Sequence, residues 1–222
     1  VLEQARQFLG KVEKTLRRQG VLSHSIVKNG FPGEEILKTI RTKGIDLVVL
    51  GTRSYSRAAG FFLGSVSQWV LQEAPCSVLI ARHRPHKKLN DRGMNILLAT
   101  DGSSDSQAAV DFVNTLGFPA SSHIMIVHVI KKQVYETERA LTTGRENEKE
   151  FAKLAEEIFE ARGRQGANLL EHTSRTLSSN DLTIQKRLVY GNAADEILKA
   201  ARLMKADLIV MGSHGSTGAK RV

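Results

Sequence analysis

Residues 206–218, ADLIVMGSHGSTG, decide how the chain is read. Asp207 to Met211 reads as a short strand that runs straight into a loop, Gly212-Ser213-His214-Gly215-Ser216-Thr217-Gly218. Four apolar residues in a row, without alternation, predict a parallel strand covered on both faces. Glycines placed directly after such a strand let the backbone turn tightly and approach a ligand. In open parallel sheets the ligand crevice lies at the carboxyl ends of the strands. A Gly/Ser/Thr loop there presents backbone N–H groups and hydroxyls, the donors a phosphate needs. A plain strand-to-helix turn has the same composition, so the loop alone leaves both readings open.

The loop occurs twice. Residues 46–54, DLVVLGTRS, match residues 207–215, DLIVMGSHG, and Asp46 and Asp207 are 161 positions apart. At the same offset, Gly30, Glu35, Ile36, Leu37, Lys38 and Arg41 match Gly191, Glu196, Ile197, Leu198, Lys199 and Arg202. A gap-free offset that carries helix, strand and loop together marks an internal duplication of domain size. The 222 residues therefore divide into two domains, 1–88 and 94–222, with a linker over about 83–93. That linker is rich in charge and holds Pro85.

Composition bounds the class. The chain is 41% hydrophobic and 25% charged, as soluble globular proteins are. No apolar run approaches the roughly 20 residues that span a bilayer, and residues 1–14 lack the basic start and apolar block of a secretory signal. One cysteine, Cys76, excludes an internal disulfide and fits a reducing compartment, so a cytoplasmic location without membrane contact is expected. In its Ala-Pro-Cys-Ser-Val-Leu-Ile context Cys76 reads as a small residue at a strand entrance, not as a nucleophile. The net charge of +9 raises nucleic acid as a partner, but the basic residues are spread along helices. The aromatic platforms that stack single strands are missing. Nucleic acid is therefore not the expected partner.

In chain order the pattern predicts a helix over residues 1–18 with Val1, Leu2, Ala5, Phe8, Leu9, Val12 and Leu16 on one face. A strand is expected over 21–28, then a helix from Pro32 to about Lys43 that stops at Gly44. Strand 46–50, loop 51–64, helix 65–72 and strand 77–82 complete the first domain. The second domain reads as strand 95–100, helix 107–116 capped by Ser104 or Asp105, and strand 123–130. A polar stretch follows over 131–148. Then come a long helix around residues 151–159, strand 182–189, helix 193–204 and strand 207–211. Strands alternating with helices predict βαβ units and a parallel sheet.

These motifs together resemble the universal stress protein family in its tandem-domain form. The family pattern, Gly-x2-Gly-x9-Gly-Ser/Thr after the fourth strand, matches Gly51-x2-Ser54-x9-Gly64-Ser65 in the first domain, with serine in place of the second glycine. The second domain shows Gly212-x2-Gly215 and ends before the last glycine. Asp101-Gly102-Ser103, His128-Val129 and the Ala74–Leu79 segment match the family's other conserved segments. The resemblance implies two Rossmann-like, doubly wound parallel-sheet domains of the adenine nucleotide alpha hydrolase type, both incomplete, in a fragment truncated at both ends. It implies an adenine-nucleotide site built from Asp101, Gly102, Ser103, Val129, Met211, Gly212, Ser213, His214 and Gly215. A weaker copy would consist of Gly51, Ser54, Gly64 and Ser65.

ATP, or another adenine nucleotide with or without Mg2+, is the implied ligand. Cut at Val222, the loop lacks its last glycine and serine, so the affinity of this chain is expected to be poor. Pairing of domains or of two copies through the fifth strand, residues 77–80, is the implied assembly, with an antiparallel partner strand covering that edge. A further arrangement has residues 77–80 completing the sheet of the second domain. Asp101 suits a ribose hydroxyl or Mg2+, and equally a helix cap. His214 and Arg53 suit a phosphate or bulk water. No P-loop lysine, nucleophile–base pair or metal-ligand spacing stands out, so binding is expected, not fast catalysis. A slow Mg2+-dependent ATPase, and an interaction domain without nucleotide such as a transporter's soluble tail, are the alternatives.

Overall fold

The computed structural model describes residues 2–52, 63–82, 93–131, 148–177 and 182–213. Two compact units form, Val1–Lys87 and Lys88–Val222.

The first unit holds α1 (Leu2–Arg18), α2 (Pro32–Lys43), β1 (Leu47–Gly51), α3 (Ser65–Glu73) and β2 (Ser77–Ala81). Pro32 opens α2, where a missing N–H costs nothing, and Glu34 and Glu35 sit in its first turn. The helix ends on Gly44 at φ 60°, whose N–H bonds the Ile40 carbonyl. β1 and β2 pair in parallel, from Leu47 opposite Ser77 to Gly51 opposite Ala81. Leu37, Ile40 and Val70 form a small core against Val48 and Leu50. Gly33 lets α2 lie on the Trp69 ring, since a Cβ there would stand 2.3 Å from the indole.

Two expectations for this unit change. Residues 21–28 form no strand: among the described residues they join no ladder, and Ser25 bonds the Glu13 carboxylate of α1 through both N–H and Oγ. The apolar face of α1 is correctly placed but not buried, with Phe8 66% exposed. β2 pairs with β1, so residues 77–80 belong to the first unit's own sheet.

The second unit holds β3 (Asn95–Ala99), α4 (Ser104–Thr115), β4 (His123–Ile130), α5 (Glu148–Thr176), β5 (Thr183–Tyr190), α6 (Ala193–Leu203) and β6 (Leu208–Val210). Its four strands are all parallel, in the order β5-β4-β3-β6. Successive residues of β3 and β4 point to opposite faces. Ile96, Leu98, Ile124 and Ile126 meet Val110 and Val113 of α4 and Leu170 of α5 on one face. Leu97, Ala99, Met125 and Val127 meet Ala200 of α6 on the other. β3 is therefore apolar from Ile96 to Ala99 because helices cover both sides.

β6 departs from the expected double burial. It is an edge strand of the described sheet, and Ile209 stays 39% exposed. α4 also starts earlier than expected and is capped by Ser103, not by Ser104 or Asp105. The Asp101 carboxylate accepts from the Ser103 N–H and hydroxyl, and Gly102 turns at φ 78°. That local turn sets Ser103 in an extended conformation, where its Oγ accepts from the Ser106 N–H.

The duplication extends to backbone detail. Gly30 and Gly191 each carry a glutamate side chain, Glu35 or Glu196, packed beside them. The position of Gly44 is taken in the second unit by Lys205, also left-handed at φ 54°. The Thr15 hydroxyl bonds the Lys11 carbonyl, and Thr176 at the same offset bonds His172.

Candidate functional site

From β3 the chain steps outward through β4 to β5, then β6 returns to the other flank of β3. The strand order thus reverses between β3 and β6, which makes the crevice at their carboxyl ends a topological switch point. The site is assembled at this end of the second unit's sheet.

After β3, Thr100 to Ser103 lead into α4. The Thr100 hydroxyl bonds the Ser106 hydroxyl at 3.2 Å, and His128 Nδ1 lies 2.8 Å from the Thr100 carbonyl oxygen. These contacts fix the ends of β3 and β4 relative to the first turn of α4. After β6, Gly212 lies directly against that turn. A Cβ on Gly212 would stand 2.6 Å from the Asp105 carbonyl carbon and 2.7 Å from the Ser106 nitrogen. Its φ is outside the left-handed range, so glycine is required here for space alone. The next residue closes the contact: the Ser213 hydroxyl donates to Asp105 Oδ2 at 2.9 Å.

Val129 supplies a different feature. β4 pairs with β3 only as far as Val127, opposite Ala99, and the Val127 carbonyl accepts from the Thr100 N–H. In a parallel ladder a residue's N–H and C=O point to the same neighbour, and the side alternates along the strand. The main-chain groups of Val129, two positions on, therefore face the flank where β3 has already ended. Its side chain is half-buried against the core under α6. A planar polar edge beside Val129 can be read by that main chain.

The structure thus gathers Asp101, Gly102, Ser103, Val129, Met211, Gly212 and Ser213 at one end of the sheet. His214 and Gly215 lie outside the described residues. In the first unit Gly51 ends β1, and Gly64 and Ser65 begin α3 as its N-cap and first residue. The Ser67 hydroxyl bonds the Gly51 carbonyl at 3.4 Å and draws these two ends together. Ser54, like Arg53, lies outside the described residues. Sequence reasoning passed over Thr100, Ser106 and the partnership of Asp105 with the β6 loop. The hydroxyl-rich run Thr100–Ser106 carried that signal, because short polar side chains before a helix hydrogen-bond locally.

A sequence profile described as the universal stress protein family matches residues 1–82 and again 94–222. The chain belongs to the universal stress protein family. Its two matched segments make it a tandem form of that family. It is 40% identical over 80 residues to a universal stress protein of Synechocystis, covering 36% of this chain and 52% of that protein. It is 37% identical over 82 residues to universal stress protein YxiE of Bacillus subtilis, covering 37% of this chain and 55% of that protein. The chain thus spans about half the length of the curated relatives it matches. A universal stress protein from Archaeoglobus fulgidus superposes with a TM-score of 0.58 at 21% identity, over 93% of this chain and 65% of that one. That likeness establishes the two-unit α/β fold.

The switch point presents bare main chain and hydroxyl groups. Gly212 brings bare main chain to the first turn of α4, where helix N–H groups attract anions. Hydroxyls of Ser103 and Ser213 flank it, and the main chain of Val129 faces the flank of β4 beyond the end of β3. Among the described residues no group of three or more His, Cys, Asp or Glu side chains is placed to hold a metal ion. No helix among them is long and apolar enough to cross a membrane.

Proposed function

We propose that the second unit binds an adenine nucleotide at the β3–β6 switch point and acts as a nucleotide-dependent regulatory module. The observation that carries this reading is the meeting of the two loops. Gly212 abuts the start of α4 and Ser213 bonds Asp105 across the crevice, with the main chain of Val129 facing the same opening. Gly212, Ser213 and the Gly215 region would hold phosphates, Asp101 and Ser103 would meet the ribose or a Mg2+ ion carried with the phosphates, and Val129 would read the base. The first unit would bind more weakly, because Ser54 carries a Cβ where the family pattern has glycine.

The proposed role is binding, and hydrolysis would be slow at most. Calorimetric titration of ATP into the purified chain, with and without Mg2+, tests the reading. Binding lost in Val129→Pro or Gly212→Val, but kept in Ser54→Val, supports the assignment. Loss confined to Ser54→Val reverses it. No binding by the wild-type chain even at millimolar ATP discards it in favour of an interaction domain. Phosphate release measured on the same samples separates a binder from an ATPase.

A further inference from the structure

We propose that His128 is a positioning residue that keeps the Val129 N–H open for a purine base, by holding the Thr100 carbonyl out of the β3–β4 ladder. The inference rests on the nucleotide reading above and deepens it.

The Thr100 N–H donates to the Val127 carbonyl, so the parallel ladder is intact to the end of β3. In that pattern the carbonyl of the same residue accepts next from an N–H two positions further along the partner strand. For Thr100 that donor would be Val129. Among the described residues this ladder bond is not made. His128 Nδ1 stands 2.8 Å from the Thr100 carbonyl oxygen instead. A carbonyl oxygen only accepts, so Nδ1 carries the proton and the contact fixes the ring tautomer.

The ring is seated from the helix side. Gly166 of α5 is buried, and an added Cβ there would stand 2.9 Å from His128 Cδ2 and 2.7 Å from Leu188 Cδ1. The glycine thus lets α5 lie close over the imidazole, and the imidazole holds the Thr100 peptide. On its other flank β4 continues along β5, with His128 opposite Leu188 and Val129 opposite Val189. β4 is therefore anchored on one side exactly where its other side opens. A carbonyl keeps a second lone pair, so the ring acts by placing the Thr100 peptide, not by saturating it. The Val129 N–H and C=O are left side by side, a donor and an acceptor on extended main chain. Adenine carries the complementary pair, a ring-nitrogen acceptor beside an amino donor.

The test uses the intact chain, with adenosine as the probe so that no phosphate takes part. His128→Leu removes the ring donor, and His128→Asn restores an N–H near the Nδ1 position. Nitrogen NMR of the imidazole, amide exchange of Val129 without ligand, and calorimetric affinity for adenosine are the readouts. The wild-type ring should be the Nδ1–H tautomer, and its Val129 amide should exchange faster than that of Val127. In His128→Leu the Val129 amide should slow about tenfold as the ladder extends, and adenosine should bind about fivefold more weakly, the worth of one hydrogen bond. His128→Asn should return both toward wild type. A wild-type ring protonated only at Nε2, or a wild-type Val129 amide as protected as Val127, overturns the proposal and leaves nucleotide binding standing. These two results need no variant, so a His128→Leu chain that fails to fold does not shield the proposal. Unchanged adenosine affinity in His128→Leu, or His128→Asn behaving as His128→Leu, overturns it as well. No heat from adenosine or ATP with the wild-type chain, while the Val129 amide responds as expected, overturns the nucleotide reading and the ligand role assigned here together.

Discussion

Replacing Gly212 with alanine tests the packing on which the site depends. The new Cβ would lie 2.6 Å from the Asp105 carbonyl carbon and 2.7 Å from the Ser106 nitrogen, where ordinary contact begins at 3.4 Å. Relief requires the β6 loop or the first turn of α4 to move by about 0.8 Å, and both are main chain. Such overpacking costs about 1–3 kcal/mol. Loss of the exposed Ser213–Asp105 bond adds about 0.5–1.5 kcal/mol at most. Against this, alanine stiffens the unfolded chain and returns about 0.4–1 kcal/mol. The expected net loss is about 2 kcal/mol.

Gly51 provides the matched control. It occupies the equivalent strand end in the first unit, yet among the described residues nothing lies within 4 Å of its added Cβ. Gly51→Ala should therefore be neutral or gain a few tenths of a kcal/mol. Urea unfolding followed by circular dichroism reads both variants. Trp69, the chain's sole tryptophan, lies in α3 and reports the first unit separately by fluorescence. Amide exchange along Leu208–Val210 should quicken in Gly212→Ala, because β6 pairs only with β3 among the described strands. Unchanged stability together with unchanged exchange in Gly212→Ala would refute the close approach.

Three further outcomes follow from particular side chains. Thr173 is 1% exposed and its hydroxyl has no hydrogen-bond partner among the described residues, while the equivalent position in α1 is Val12; Thr173→Val should stabilise the second unit by about 1 kcal/mol in denaturant unfolding. Lys205 holds a left-handed backbone that Gly44 holds in the first unit, so Lys205→Gly should gain about 0.5 kcal/mol and Gly44→Ala should lose about 1 kcal/mol by the same assay. The Glu171 carboxyl is held below its ordinary value, chiefly by its bond to the Lys186 ammonium on β5 and then by Arg175. A depressed carboxylate contributes stability above its unfolded value and loses it as pH falls through its folded value. Lys186→Met should raise the Glu171 midpoint in an NMR titration and flatten the acid side of the stability curve. An unmoved midpoint would show that the pair does not persist in solution.

Much of this fold was legible because the second unit's interior strands carry unbroken apolar runs, Ile96–Ala99 and Ile124–Val127. Residues 96–99 and 124–127 are buried on both faces, and the alternation of helix and strand leaves few other topologies. The residues 21–28 misled because a strand needs a neighbour, and Glu13 of α1 takes the Ser25 N–H instead. β6 misled in the opposite sense: its apolar run matches a central strand, but its place at the end of the described sheet leaves Ile209 exposed. The cap of α4 slipped because the Asp101 carboxylate acts one step away, shaping the turn so that Ser103 does the capping. Sequence named the loop glycines and Asp101 but missed Asp105 as a partner of the β6 loop. That pairing joins residues 108 positions apart in the chain, and no local pattern encodes it.

The duplication sharpens what a motif glycine means. Gly51 and Gly212 sit at the same offset, end equivalent strands and look identical in sequence. Gly212 is pressed against the peptide between Asp105 and Ser106, whereas an added Cβ on Gly51 meets nothing among the described residues. The difference arises because β6 lies beside β3, whose following helix starts at the crevice, while β1 pairs with β2. Steric need at such a position comes from the neighbouring strand's loop, not from the glycine's own loop. A repeated strand-end glycine therefore marks equivalent turns, and the packing of the adjacent helix decides which copy requires the glycine. On this ground Gly212 and Asp105 should tolerate substitution as a coupled pair: the loss from Gly212→Ala should shrink when the first turn of α4 is free to retreat, as a double-mutant cycle with Asp105→Gly would measure.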